Sequence, residues 1–257
     1  MKSISFFHIV KKLIRLIVTI KVRNISRGLK FLRDFSRYRH QSESGKQPAF
    51  RDIYPCIEDS TWKTPFDAHY FYLGVWAFTR IKEIEPNKHL DIGSDIRWVG
   101  LLSTVTDVTF LDIRPFETDL EGLTVKKGSL LTLPYGDGSV RSLSCLHVAE
   151  HVGLGRYGDP LDPDGTKKAC RELARVLAID GNLYFAVPVG RERTCFNAHR
   201  VHLPRTIVDY FEDLDLIEFS GVTDDGRFVE NIDPDVLAQS NYACGFFRFT
   251  RKEEKLP

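Results

Sequence analysis

The 257-residue sequence predicts an α/β fold. The expected core is a doubly wound, mostly parallel seven-stranded sheet with an antiparallel last strand, behind an N-terminal helical extension. Three observations carry that reading. From Lys88 onward, short apolar, β-branched segments alternate with segments whose apolar residues recur at helical spacing. The densest group of titratable side chains, His147 to Asp159, follows directly on one of these strands, where open α/β sheets keep their ligands. The last two strands are joined by Ser220 to Asn241 without a clear helix, which suits an antiparallel edge.

In chain order, residues 1–40 read as a basic amphipathic helical extension. They hold eleven Lys or Arg against one acid, Asp34, in a chain whose total charge is only +1, so the remainder is acidic. Within residues 6–23, His8, Lys11, Lys12, Arg15, Thr19 and Arg23 share one helical face, and apolar side chains fill the opposite one. Spanning a bilayer would bury Lys11, Lys12 and Arg15 at roughly 2.5–3.5 kcal/mol each, while each apolar residue returns only about 0.3–0.6 kcal/mol. A basic amphipathic helix is therefore expected, lying on an anionic membrane or docking on the body or a partner chain, with a disordered arm as the third reading. No A-x-A site follows the apolar run, so a signal peptide is not expected. No nucleic-acid module accompanies the charge, so nucleic acid is not an expected partner. Five cysteines with no CxxC read as free thiols in a reducing compartment, which predicts a cytoplasmic protein with membrane attachment through the helix left open.

Residues 41–87 read as a linker, interrupted by Pro48, Pro55 and Pro65, and an aromatic-rich lead-in. In the lead-in, Tyr70, Phe71, Trp76 and Phe78 are enough to cap a core or roof a pocket. Residues 88–252 form the α/β domain. Strands are expected at His89–Ile92, Val108–Ile113, Leu123–Lys127, Val140–Leu146, Asn182–Val189, Leu216–Phe219 and Tyr242–Thr250. Ala169, Leu173, Val176 and Leu177 predict a helix over Thr166–Ala178, which Asp180-Gly181 should stop; a second helix is expected over Leu203–Phe211.

A set of motifs runs through this domain in order: Asp91-Ile92-Gly93 after the first strand, Asp112 ending the second, Leu133-Pro134-Tyr135, Glu150-His151, and Glu172-Leu173-Ala174-Arg175-Val176-Leu177 before Gly181. On these residues the segment from Lys88 to Val189 resembles the class I S-adenosylmethionine-dependent methyltransferases, which have a Rossmann-like fold. The HVAEHVGLGRYGDP run and the later FNAHR, Phe196–Arg200, look like a narrower methyltransferase-like family of unassigned function, over about Asp52 to Arg251. Bacterial members of that family are associated with surface-polysaccharide gene clusters.

The resemblance implies S-adenosylmethionine as cofactor, with Asp91, Gly93 and Ser94 around its methionine moiety. It places Asp112 on the ribose hydroxyls and Ser129 or Leu130 beside the adenine. An aspartate, Asp95, stands where the family's second glycine is usual.

Methyl transfer to a hydroxyl needs alignment and a base. His151 or His147 is the expected base and Glu150 its orienting partner. Arg156, Tyr157, Asp159, Asn197, His199 and Arg200 are candidates to bind a small-molecule or glycan acceptor. The expected reaction is O-methylation of a sugar or a related acceptor. The alternatives are a non-catalytic binding protein of the same fold and, less favoured, a metal hydrolase built on His147-x-x-Glu150-His151. No residue is assigned as a metal ligand. A divalent ion at Asp159, Asp162 or Asp164 stays open as an aid to acceptor binding.

Overall fold

The computed structural model describes Ile25 to Lys252; the amphipathic stretch of residues 6–23 lies outside the described residues. The chain divides into two compact units, Met1–Pro65 and Phe66–Pro257.

In the first unit a helix, α1, covers residues 25–41, and none of the described residues up to Pro65 is buried. Its local order comes from side-chain pairs: Phe35 and Phe50 have ring centroids 5.5 Å apart, and the Arg39 guanidinium lies 4.5 Å over the Phe50 ring. No described helix is long and apolar enough to cross a membrane.

The second unit opens with α2, Ala68–Ile84, so its packed body begins at Phe66 and takes in the aromatic-rich lead-in. Asp67 caps this helix by accepting from the backbone N–H of His69 and of Tyr70. There follow β1 (Lys88–Ile92), α3 (Ile96–Leu102), β2 (Asp107–Asp112), β3 (Leu123–Lys127), β4 (Val140–Leu146), α4 (Gly165–Val176) and β5 (Leu177–Val189). A short hairpin, β6 (Arg193–Cys195) and β7 (His199–Val201), precedes α5 (Pro204–Tyr210), β8 (Asp215–Val222), β9 (Phe228–Val229) and β10 (Ala243–Thr250).

The sheet order is β3-β2-β1-β4-β5-β10-β8-β9. Strands β1 to β5 pair in parallel, and β10 runs antiparallel to both β5 and β8. This is the expected sheet with one short edge strand, β9, added.

Strands β2, β5 and β10 feed both faces of the sheet. In β5, Tyr184 and Ala186 pack with α2 and α3, while Leu183, Phe185 and Val187 face α4 and α5. Burial on both sides explains why these strands read as continuous apolar runs.

One expected boundary is corrected. Asp180-Gly181 does not stop a helix: α4 ends at Val176 and β5 runs straight through the pair. Asp180 has φ +57°, and the β4–β5 register shifts between Val140 and Ser142. A Cβ on Gly181 would lie 2.8 Å from the Ala178 carbonyl, so the glycine serves a bulge.

Candidate active site

The chain leaves β1 toward β2 and β3 on one side, and β4 leads to β5 on the other. The crevice between the carboxyl ends of β1 and β4 is therefore the topological switch point, the usual ligand position in such sheets. Two cavities open there.

The first, of about 420 Å³, is lined by Gly93, Asp112, Arg114, Ser129, Leu130 and Val148 among others. Gly93 sits at φ +66°, and a Cβ on it would lie 3.1 Å from Val148 and 3.2 Å from Asp112 Oδ2, so only glycine keeps this wall open. The Asp112 carboxylate, at the end of β2, accepts from the Arg114 backbone N–H at 2.7 Å. The Arg114 guanidinium lies 4.1 Å over the Tyr157 ring and joins the loop after β2 to the loop after β4.

The second cavity, of about 650 Å³, is more polar; its lining includes Asp67, His69, Tyr70, Glu150, Arg156 and His199. His147, His151 and Tyr157 line both cavities and stand between them.

The sharp exit from β4 builds this partition. His147 takes φ +60°, and a short 3-10 turn, Ala149–His151, follows. His147 Nδ1 lies 2.8 Å from Glu150 Oε1 and its Nε2 3.1 Å from Cys244 Sγ. Glu150 is 1% exposed, and its Oε2 has no hydrogen-bond partner. Burial opposes charge on Glu150, but His147 and then His151 outweigh it and hold the carboxyl below its usual range. Burial likewise opposes charge on His147, while Cys244 and Glu150 raise its imidazole above the ordinary value. Burial is the main cause of the raised Cys244 thiol, with Glu150 and Asp67 adding to it and His147 opposing it.

His151 Nδ1 lies 2.6 Å from the Ala198 carbonyl, which can only accept. The proton of the neutral ring is thus on Nδ1, and Nε2 carries the lone pair, 3.7 Å from Glu150 Oε1.

The other expected site residues fall into three groups. Arg156, Tyr157 and His199 face the second cavity. Asp159 braces the loop, accepting from the backbone N–H of Gly153, Gly155 and Tyr157, and borders the first cavity. Arg200 is buried and donates to the Val152 and Asp162 carbonyls, and Asn197 is exposed; neither lines either cavity.

Neither Asp91 nor Ser94 lines either cavity. Asp91 is fully buried and accepts from Ser94 Oγ at 2.7 Å and from the Ser94 backbone at 3.0 Å. Asp95 turns away from the cavity to cap α3 and pair with Arg97 at 2.6 Å.

The H-x-x-E-H spacing does not make a helical zinc motif. His147 precedes the 3-10 turn at positive φ, and its imidazole engages Cys244 rather than His151. Asp162 is occupied by Lys168 at 2.6 Å.

Sequence reading missed His69, Tyr242 and Cys244, and named Tyr70 only among the aromatics able to cap a core or roof a pocket. His69 stood in the aromatic-rich lead-in, where nothing close to it in the chain marked it as part of a site. Cys244 looked like one more buried apolar residue.

The profile of a family described as a Caenorhabditis protein of unknown function, DUF268, matches residues 138–226, from β4 to the turn after β8. No curated protein matches the chain. Among solved structures, the [4+2]-cyclase SpnF superposes with a TM-score of 0.53 at 12% identity, over 70% of this chain and 81% of that one. A candidate sarcosine dimethylglycine methyltransferase from Galdieria sulphuraria gives 0.51 at 14% identity, over 72% and 86%. The N-methyltransferase NodS from Bradyrhizobium japonicum, in complex with S-adenosyl-L-homocysteine, gives 0.48 at 15% identity, over 71% and 88%. At such identities the likeness is one of architecture: the chain has the Rossmann-like fold of the class I S-adenosylmethionine-dependent methyltransferases.

Proposed function

We propose that this protein is an S-adenosylmethionine-dependent methyltransferase acting on a hydroxyl of a small polar acceptor, a sugar or glycan. The observation that carries the reading is the meeting of two cavities at His147, His151 and Tyr157, over the switch point of the sheet. A cavity of about 420 Å³ is of the size that takes a cofactor. Its residues suit this one: Asp112 would accept from the ribose hydroxyls, Leu130 and Val148 offer apolar walls to the adenine, and Gly93 leaves the backbone open.

When bound, the cofactor supplies an electrophilic methyl group on sulfur. The protein's part is to align the acceptor and take its proton. His151 Nε2 is the base: its lone pair is free, because Nδ1–H is committed to Ala198. His151 Nε2 would take the acceptor's proton when the methyl group passes from sulfur to that oxygen and its bond to sulfur breaks, and Glu150, 3.7 Å away, would stabilise the resulting imidazolium. Arg156, Tyr157 and His199 bind the acceptor's polar groups from the walls of the second cavity. The walls are polar and aromatic together, which matches the alternating faces of a sugar ring.

The test is calorimetric titration of the full chain with S-adenosylmethionine and S-adenosylhomocysteine. Saturable binding is expected, weakened at least tenfold in Asp112→Ala. His151→Ala should bind the cofactor as wild type does and lose methyl transfer to a panel of sugars. Absence of binding at saturating cofactor, or equal binding in Asp112→Ala, would overturn the assignment.

A further inference from the structure

The second cavity has a floor that the proposed transfer does not use. His69 at the start of α2, His147 at the end of β4 and Cys244 at the start of β10 converge there, with one ligand atom from each lying within 4.8 Å of the other two. Among the described residues this is the one such group of three His, Cys, Asp or Glu side chains. We propose that His69, His147 and Cys244 form a binding site for a zinc-class divalent ion, with its open coordination position facing the second cavity.

The donor set is the first argument. Two imidazoles and a thiolate favour zinc over magnesium or calcium, and three protein ligands with a fourth position open is the pattern of a working rather than a purely structural site. Geometry is the second. Tetrahedral bonds of usual length set neighbouring ligand atoms roughly 3.5 Å apart. His147 Nε2 and Cys244 Sγ are already 3.1 Å apart, so it is His69 that must close in.

The third argument is the support behind the ligands. Glu150 holds His147 Nδ1 at 2.8 Å, which turns Nε2 toward Cys244; a carboxylate behind a histidine is the usual orienting partner in a metal site. Glu150 also keeps one buried oxygen, Oε2, without a partner. A thiol-to-imidazole hydrogen bond would account for His147 and Cys244 alone. It does not account for His69, whose ring lies parallel to that of His147 at 5.8 Å and is held on its other flank by Tyr242 at 5.3 Å.

Cys244 is fully buried, whereas His69 and His147 border the second cavity, so the open position points to where the acceptor would lie. An acceptor hydroxyl bound there would lose its proton more readily, because a bound cation stabilises the alkoxide. This role rests on the proposed function; the metal site itself does not.

The test uses the full chain, stripped with a chelator and titrated with Co²⁺ and then Zn²⁺. One equivalent of cobalt should bind with a thiolate-to-cobalt charge-transfer band, and one equivalent of zinc should displace it. Cys244→Ser should lose the band, although Cys56 and Cys195 remain. His69→Ala, a change at a half-buried surface position, should lower affinity sharply with circular dichroism unchanged. Glu150→Gln should weaken binding by about 10–100-fold. No stoichiometric binding, or a band that survives both Cys244→Ser and His69→Ala, would overturn the site. The same samples titrated with S-adenosylhomocysteine separate the two claims. Cofactor binding without metal binding defeats only the metal site, and the reverse defeats only the transferase reading.

Discussion

His89 Nε2 lies 2.7 Å from Ser144 Oγ, whose hydroxyl proton goes to the Asp91 carboxylate. Nε2 must therefore donate, and Nδ1 accepts from Ser142 Oγ at 2.8 Å, which fixes the tautomer of a neutral ring. Burial lowers the His89 pKa to about 3. It raises that of Asp91 to about 6, against the bonds from Ser144 and Ser94 and with a small push from Asp112.

The two groups pull stability in opposite directions. His89 costs stability as pH falls below about 6.5, because the unfolded chain then binds the proton more readily. Asp91 binds its proton more tightly when folded. Its contribution is full below the unfolded value of 3.8 and is lost as pH rises toward about 6, a swing on the order of 3 kcal/mol. Asp91→Asn removes that swing. The variant should melt at a higher temperature than wild type at pH 7 and should lose stability more steeply on acidification to pH 4, as thermal melts at several pH values will read. Equal slopes in both proteins would show that Asp91 does not titrate as described.

At the scale of elements, two helices, α3 and α2, are placed by side chains that the sequence did not single out for that role. Asp95 occupies the position of a family glycine, yet its carboxylate accepts from the Arg97 backbone at 2.8 Å and caps α3. Asp95→Ala should cost about 1 kcal/mol of stability and leave S-adenosylhomocysteine affinity unchanged in titration. A marked gain in affinity would mean that the charge does reach the cofactor.

Helix α2 is held to β8 by Glu218, which accepts from Trp76 Nε1 at 2.7 Å and from Arg80 at 3.0 Å. This nearly buried pair fixes the C-terminal half of α2, the helix whose other end carries His69 and Tyr70. Glu218→Ala leaves the Trp76 N–H and part of the Arg80 charge unpaired, at a cost of roughly 3 kcal/mol. Amide exchange in α2 should then speed up before that of β4 and β5; uniform acceleration would contradict a local role.

At the scale of the molecule, the buried residues among those described all belong to the unit from Phe66 onward, whose two cores lie on the two faces of the sheet. A chain beginning at Phe66 should therefore melt cooperatively and bind S-adenosylhomocysteine as the full chain does. Calorimetry of the two chains checks this. Loss of a cooperative transition would mean that residues before Phe66 complete the fold.

Strand and helix periodicity, the acid at the end of β2, Gly93 and the crowded loop after β4 were legible in the sequence, because each depends on residues close together in the chain. The Asp180-Gly181 pair misled, since a bulge and a helix stop ask for the same residues. Whether a loop side chain braces or binds was not legible either: Asp159 and, from β7, Arg200 brace the loop after β4, while Arg156 on that loop faces a cavity.

By itself, then, the sequence determined the fold class, the glycine and acid at the ends of β1 and β2, and the loop that carries the histidines. Only the tertiary structure decided which atoms meet. His69, His147 and Cys244 lie on three elements far apart in the chain. They converge because β10 inserts between β5 and β8 while α2 docks on that same face. Local spacing carries no information about such long-range pairing.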